Sequence, residues 1–139
     1  MKIYFAGSIR GGRDDQKLYA LILQELAGYG TVLTEHVGDQ MVLNTGEDSL
    51  SDSYIYERDM SWIREADVVV AEVTTPSLGV GYEIGKTEDK KPILCLFREQ
   101  DGKKVSAMIA GNKNLNIQKY STIEDVKALL KEFFTGFTI

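Results

Sequence analysis

The chain has 139 residues, 43% hydrophobic and 27% charged, with a formal net charge of -5, one cysteine and one histidine. That size suits one domain over 1–139 with a core that needs no staples. The acidic balance disfavours nucleic-acid polymers, and a single cysteine and histidine disfavour both an internal disulfide and a zinc site. No apolar stretch reaches the length of a membrane span, and the N-terminal apolar run is too short for a signal peptide. The expectation is a cytoplasmic protein with no membrane partner, no metal and no cofactor. A small phosphorylated ligand is still admitted, because a few local donors can override the global field.

Residues 2–6 predict a short buried strand running into Gly7, Ser8, Ile9, Arg10, Gly11, Gly12 and Arg13. Asp14 or Asp15 can cap the helix that follows, with Leu18, Ile22 and Leu26 on its apolar face and Gly28 and Gly30 to stop it. Residues 31–33 form a second strand, and the polar, aperiodic stretch 38–51 reads as a loop. A second helix starts at Asp52 or Ser53 and puts Ile55, Tyr56, Met60 and Ile63 at core spacing. Residues 68–71 are continuously apolar, the mark of a strand covered on both faces. A helix follows from about Gly79, and Glu83 falls in its first turn. Residues 93–97 give a fourth strand with Cys95 as core, Ser106 an N-cap, and 115–117 a fifth strand. Ser121 and Glu124 make a capping box for a last helix carrying Val126, Leu129, Leu130 and Phe133.

Strands alternating with helices imply right-handed βαβ units. The fold class is α/β: a flavodoxin-like or Rossmann-like three-layer sandwich around a five-stranded parallel sheet of order 2-1-3-4-5. In that order the first and third strands are neighbours. The loops that follow them, 7–13 and 74–83, therefore meet at one crevice.

The first loop is a plausible phosphate cradle: glycines let backbone N–H groups approach an anion, and Arg10 can bind it in a fork. It fits neither the dinucleotide fingerprint nor the Walker A pattern, and a plain strand-to-helix turn is the alternative. Glu83 sits behind Gly79 and Gly81, where a helix N-terminus favours the ionised form that a carboxylate nucleophile needs. Asp59 borders the buried stripe of the second helix, with Glu57, Glu65, Asp67 and Glu72 as competitors for a second acid. Asp67 reads better as a turn residue, and Glu72 as an edge position or a neighbour of the site. Tyr4 is a core residue whose hydroxyl needs a partner. Trp62 and Tyr82 fit a core or an interface.

Taken together, Tyr4 to Gly12, Thr34-Glu35-His36, Glu57-Arg58-Asp59, the run 66–73, Pro76 to Glu83 and Ser106-Ala107-Met108-Ile109 resemble the Rcl-type 2'-deoxynucleoside 5'-phosphate N-hydrolases of the nucleoside 2-deoxyribosyltransferase superfamily. The resemblance implies Glu83 as the nucleophile at C1', Asp59 as the second catalytic carboxylate and Tyr4 as a supporting group near the sugar. It implies phosphate contacts from Ser8, Arg10 and Ser77, and from Ser106 of the other subunit of a homodimer. It also places Gly7, Ile9, Gly11, Gly12, Arg13, His36, Gly79, Ala107 and Met108 in the substrate site. Stretch 38–51 matches no clear family motif. Other readings remain: base exchange by a deoxyribosyltransferase, a cytidylate-type ribonucleotide hydrolase, a non-catalytic nucleotide-binding module, or a flavin protein of the same fold.

Overall fold

The structure, a computed structural model, describes residues 1–9, 13–35, 50–87 and 90–137, the side chains of 13 and 14 excepted. In chain order these form β1 (Lys2–Ala6), α1 (Arg13–Ala27), β2 (Thr31–Leu33), α2 (Asp52–Glu65), β3 (Val68–Glu72), α3 (Leu78–Thr87), β4 (Ile93–Arg98), α4 (Ala107–Ala110), β5 (Asn116–Tyr120) and α5 (Ile123–Thr135). The strands pair in the order β2-β1-β3-β4-β5, every pair parallel, as the alternation of elements predicts. Among the described residues, no helix is long and apolar enough to cross a membrane.

Alternate residues of each strand face opposite sides, so the sheet builds two cores. Ile3, Phe5, Val68, Val70, Leu94 and Leu96 pack against Tyr19, Ile22 and Leu26 of α1 and Val126, Leu130 and Phe134 of α5. Tyr4, Ala6, Val69, Ala71 and Cys95 pack on the other side against Met60 and Ile63 of α2 and Val80 and Ile84 of α3. Each fully buried aliphatic side chain contributes about 1.5–3 kcal/mol, so both faces stabilise the sheet. Cys95 is fully buried, and desolvation pushes its thiol up to about 12, as a core role requires.

Local chemistry sets the ends of the elements. An added Cβ at Gly30 would lie 2.2 Å from the Met1 carbonyl oxygen, so this turn admits only glycine. Thr31 N–H donates to that same carbonyl and starts β2. Asp67 is the turn residue expected: its Oδ2 accepts from Lys2 N–H at 2.7 Å. Ser51 caps α2 by accepting from Tyr54 N–H.

Several boundaries differ from the sequence reading. α1 begins at Arg13, so Asp14 and Asp15 lie inside it; Asp15 accepts instead from Thr75 Oγ1 and the Arg98 guanidinium. The capping box of α5 is one residue later than expected, with Thr122 and Asp125 as its pair. The fifth strand starts at Asn116, and Leu115 is a buried residue just before it. Tyr56 is 46% exposed rather than core, because it sits on the solvent side of α2 and approaches Tyr82 of α3, also exposed.

Candidate active site

The site forms on the α2/α3 face, at the carboxyl ends of β1 and β3. β1 contributes Tyr4, whose side chain is fully buried. β2 ends in Thr34 and Glu35; the Thr34 hydroxyl donates to the Phe5 carbonyl at 3.0 Å and anchors that end against β1. α2 contributes Asp59, at the same helical face as Met60 and Ile63. α3 contributes Glu83. It lies in the second turn rather than the first, because the helix opens at Leu78, and so it is less directly under the influence of the helix N-terminus.

One oxygen each from Glu35, Asp59 and Glu83 lie within 4.8 Å of one another, and all three residues are buried. Among the described residues, the positive charge beside this acid cluster is the guanidinium of Arg58. Its Nη2 donates to Glu35 Oε2 at 3.3 Å and its Nε to Asp59 Oδ1 at 3.1 Å. The same guanidinium stacks over the Trp62 ring, 4.8 Å from its centroid, which explains why Trp62 is only half-exposed.

Glu83 is the acid that stands apart. Its Oε2 and the Tyr4 hydroxyl are both buried without a partner of full hydrogen-bond geometry. Desolvation pushes the Glu83 carboxyl up to about 7; the nearby Tyr4 hydroxyl pulls it down and the Asp59 charge raises it further. The ionised form that the helix N-terminus was expected to favour is thus held back by burial. Tyr4 itself is raised far above an ordinary phenol, by burial first and then by Glu83 and Asp59. A buried carboxyl with a free oxygen, near neutrality and beside a second carboxyl, can attack an electrophilic carbon or exchange a proton near pH 7.

Beside this acid cluster runs a groove of about 1060 Å³, lined by Ser77, Leu78, Tyr82, Ser106, Ala107 and Met108 among others. Ser77 accepts from Val80 N–H at 3.3 Å, and a Cβ on Gly79 would sit 3.9 Å from both Ser77 Oγ and Glu83 Oε1. Gly79 therefore keeps open the space between that hydroxyl and that carboxylate. Ser106 stands at the N-cap of α4 but makes no side-chain capping bond. Leu78 and Met108, 97% and 83% exposed, leave the groove wall bare.

The structure thus brings together Tyr4, Asp59 and Glu83, and sets Ser77 and Gly79 beside them. Ser106, Ala107 and Met108 share the neighbouring groove. Gly7 and Ser8 are buried at the end of β1, with Ile9 exposed. Arg10, Gly11, Gly12 and His36 lie outside the described residues, as do the side chain of Arg13 and most of stretch 38–51. Glu72 is neither an edge residue nor part of the site: it sits buried in the central strand, on the opposite face. Sequence reasoning quoted Glu35 and Arg58 within its motifs but gave neither a role in the site. The signal available was position: Glu35 closes a strand next to β1, and Arg58 precedes the buried Asp59.

Known proteins resemble this chain in sequence and in fold. A family profile described as nucleoside 2-deoxyribosyltransferase matches residues 3–130. The 5-hydroxymethyl-dUMP N-hydrolase of Mus musculus is 51% identical, covering 97% of this chain and 80% of its own. The 5-hydroxymethyl-dUMP N-hydrolase of Tetraodon nigroviridis is 49% identical over 98% of this chain and 99% of its own. Among solved structures, a CMP N-glycosidase of Clostridium botulinum superposes with a TM-score of 0.65 at 17% identity, covering 96% of this chain and 99% of that one, a likeness of fold. With a family match over most of its length and relatives at half identity, the chain belongs to the nucleoside 2-deoxyribosyltransferase family.

Proposed function

We propose that this protein hydrolyses the N-glycosidic bond of 2'-deoxynucleoside 5'-monophosphates, giving free base and 2-deoxyribose 5-phosphate. The observation that carries the reading is the buried Glu83 carboxyl with its open oxygen, beside Tyr4 and within 4.8 Å of Asp59 and Glu35. That separation is on the short side expected of retaining glycosidases, whose carboxyl groups stand about 5–5.5 Å apart. The names of the close relatives, which are hydrolases of a deoxynucleoside monophosphate, support the same class.

In this reaction ionised Glu83 attacks C1', the C1'–N bond breaks, and its electron pair leaves with the base, which takes a proton from Asp59. Water then attacks C1', gives a proton back to Asp59 and releases Glu83 from the sugar. Tyr4 orients the attacking carboxylate and lies against the sugar. Ser8, Arg10 and Ser77 hold the 5'-phosphate, together with Ser106 of a second copy in a homodimer; the exposed Leu78 and Met108 beside Ser77 and Ser106 support that pairing. The enzyme acts as one domain, and its lone buried thiol fits a reducing cytoplasm.

Base exchange by a transferase shares the covalent step, so the phosphate decides between them. Binding energy from that remote group should appear in turnover as well as affinity. A matched series of 2'-deoxynucleoside monophosphate (5-hydroxymethyl-dUMP first), unphosphorylated deoxynucleoside and ribonucleotide is expected to show kcat/KM falling at least about 100-fold without the phosphate. Equal rates with and without it, or exchange with an added free base in preference to hydrolysis, would favour the transferase. Sedimentation at working concentration should show a dimer that Met108→Asp dissociates; a fully active monomer would refute the composite site.

A further inference from the structure

We propose that Arg58 is the positioning residue of the acid cluster: its fork holds Glu35 and Asp59 side by side before Glu83 and supplies the positive charge that lets three carboxyl groups share one buried site. Two bonds, to Glu35 Oε2 at 3.3 Å and Asp59 Oδ1 at 3.1 Å, come from different nitrogens of one rigid plane. A lysine could match the charge but not the two directions. Arg58 is itself fixed, its side chain 18% exposed and stacked over Trp62, with Tyr54 5.9 Å away. The cluster is therefore built on a preset guanidinium rather than on a surface charge that happens to swing near.

Among the described residues, the groups facing Glu83 are Tyr4 from β1, Glu35 after β2, and Asp59 with Arg58 from α2. On that face β3 and β4 contribute Val69, Ala71 and the neutral, buried Cys95. Lys86 of α3 lies over the Tyr82 ring instead. Among the described residues, Arg58 is thus a cation paired with two of the acids of this site. Without it, three carboxyls this close must retain more protons, and the protons belong to the set rather than to one residue.

The test uses the full-length protein with Arg58→Met, which keeps an apolar stem against Trp62, Arg58→Gln and Arg58→Lys, each checked for folding by thermal melting. Carboxyl 13C NMR titration of the ligand-free protein reads the cluster directly. In Arg58→Met and Arg58→Gln the acid cluster is expected to keep its last proton to a pH higher by roughly one unit, while Arg58→Lys stays close to wild type. The kinetic half rests on the hydrolase reading. The acid limb of kcat/KM should move up by the same amount in the neutral variants, and kcat in Arg58→Lys should fall about tenfold because the two acids are no longer held together. An unshifted titration in a folded neutral variant would overturn the proposal. If neither neutral variant folds, Arg58→Lys decides, and a wild-type kcat there overturns it. Should the wild type release no base at all, the hydrolase reading fails while the NMR titration still judges Arg58.

Discussion

Glu72 and Glu83 are both buried glutamates at the same end of the sheet, on opposite faces, and their surroundings differ in kind. Glu72 is 1% exposed, yet both of its oxygens are engaged: Thr74 N–H donates to Oε1 at 2.7 Å, and the hydroxyls of Thr74 and Tyr120 donate to Oε2. Arg98 N–H in turn donates to Thr74 Oγ1, so the network ties the turn after β3 to the end of β4. Burial raises Glu72, and these hydrogen bonds oppose the rise. Glu83, nearly as buried, keeps Oε2 without a full bond. A satisfied buried carboxyl fixes structure; an unsatisfied one beside other acids is held ready for chemistry.

Substitution should separate the two. Glu83→Gln is expected to lower base release by about a thousandfold or more, while raising stability above neutral pH. The sign follows from the native value of about 7 against an ordinary 4.5. The folded protein holds a proton that the unfolded chain releases between those two values. The stability of neutral Glu83 is therefore full below about pH 4.5 and lost as pH rises through 7. At about 1.4 kcal/mol per pH unit the loss is on the order of 3–4 kcal/mol. Urea titrations at pH 5 and pH 8 should show the variant gaining on wild type only at the higher pH; parallel behaviour would mean Glu83 is not the strained acid. The same ionisation should make wild-type kcat/KM rise with pH through about 7.

Glu72→Ala should do the reverse. Removing it strands the Tyr120 hydroxyl and Thr74 N–H, at an expected cost of about 2–4 kcal/mol. Assayed well below its lowered melting temperature, the variant should keep kcat within about threefold, since the network lies across the sheet from the acids. A thermally normal but inactive Glu72→Ala protein would erase the distinction between the faces. The smallest effect is expected of Tyr4→Phe: roughly a tenfold drop in kcat, with stability unchanged or slightly improved because an unpaired hydroxyl is gone. A large loss of stability would show that Tyr4 is held by bonds rather than by packing.

The sheet was legible because its strands are continuously apolar and its helices periodic; buried parallel strands have little freedom to look otherwise. Strand order followed from size and alternation, and with it the meeting of the β1 and β3 loops near Glu83. Helix starts were less legible. Asp15 carries a capping residue's side chain but is drawn into a tertiary pairing with Thr75 and Arg98, and Thr122 outcompetes Ser121 by one position. Asp59 could be placed on its buried stripe, but not in the company of Glu35, whose position depends on a three-residue strand anchored by one threonine hydroxyl. Nor could burial's hold on Glu83 be read from local spacing, because desolvation is a property of the assembled core.

The placement of Cys95 in the middle of β4 gives the chain a gauge of its own breathing. A thiol that is wholly enclosed cannot meet a disulfide reagent until the strands around it part. The rate of its modification therefore counts openings of the sheet centre rather than surface encounters. Since the sequence contains no second cysteine, that count comes from one known place, in the core on the same face of the sheet as Tyr4, and needs no engineered label. A nucleotide that settles over Glu83 should lengthen the interval between openings, so occupancy of the site can be followed from inside the protein without watching a single bond break.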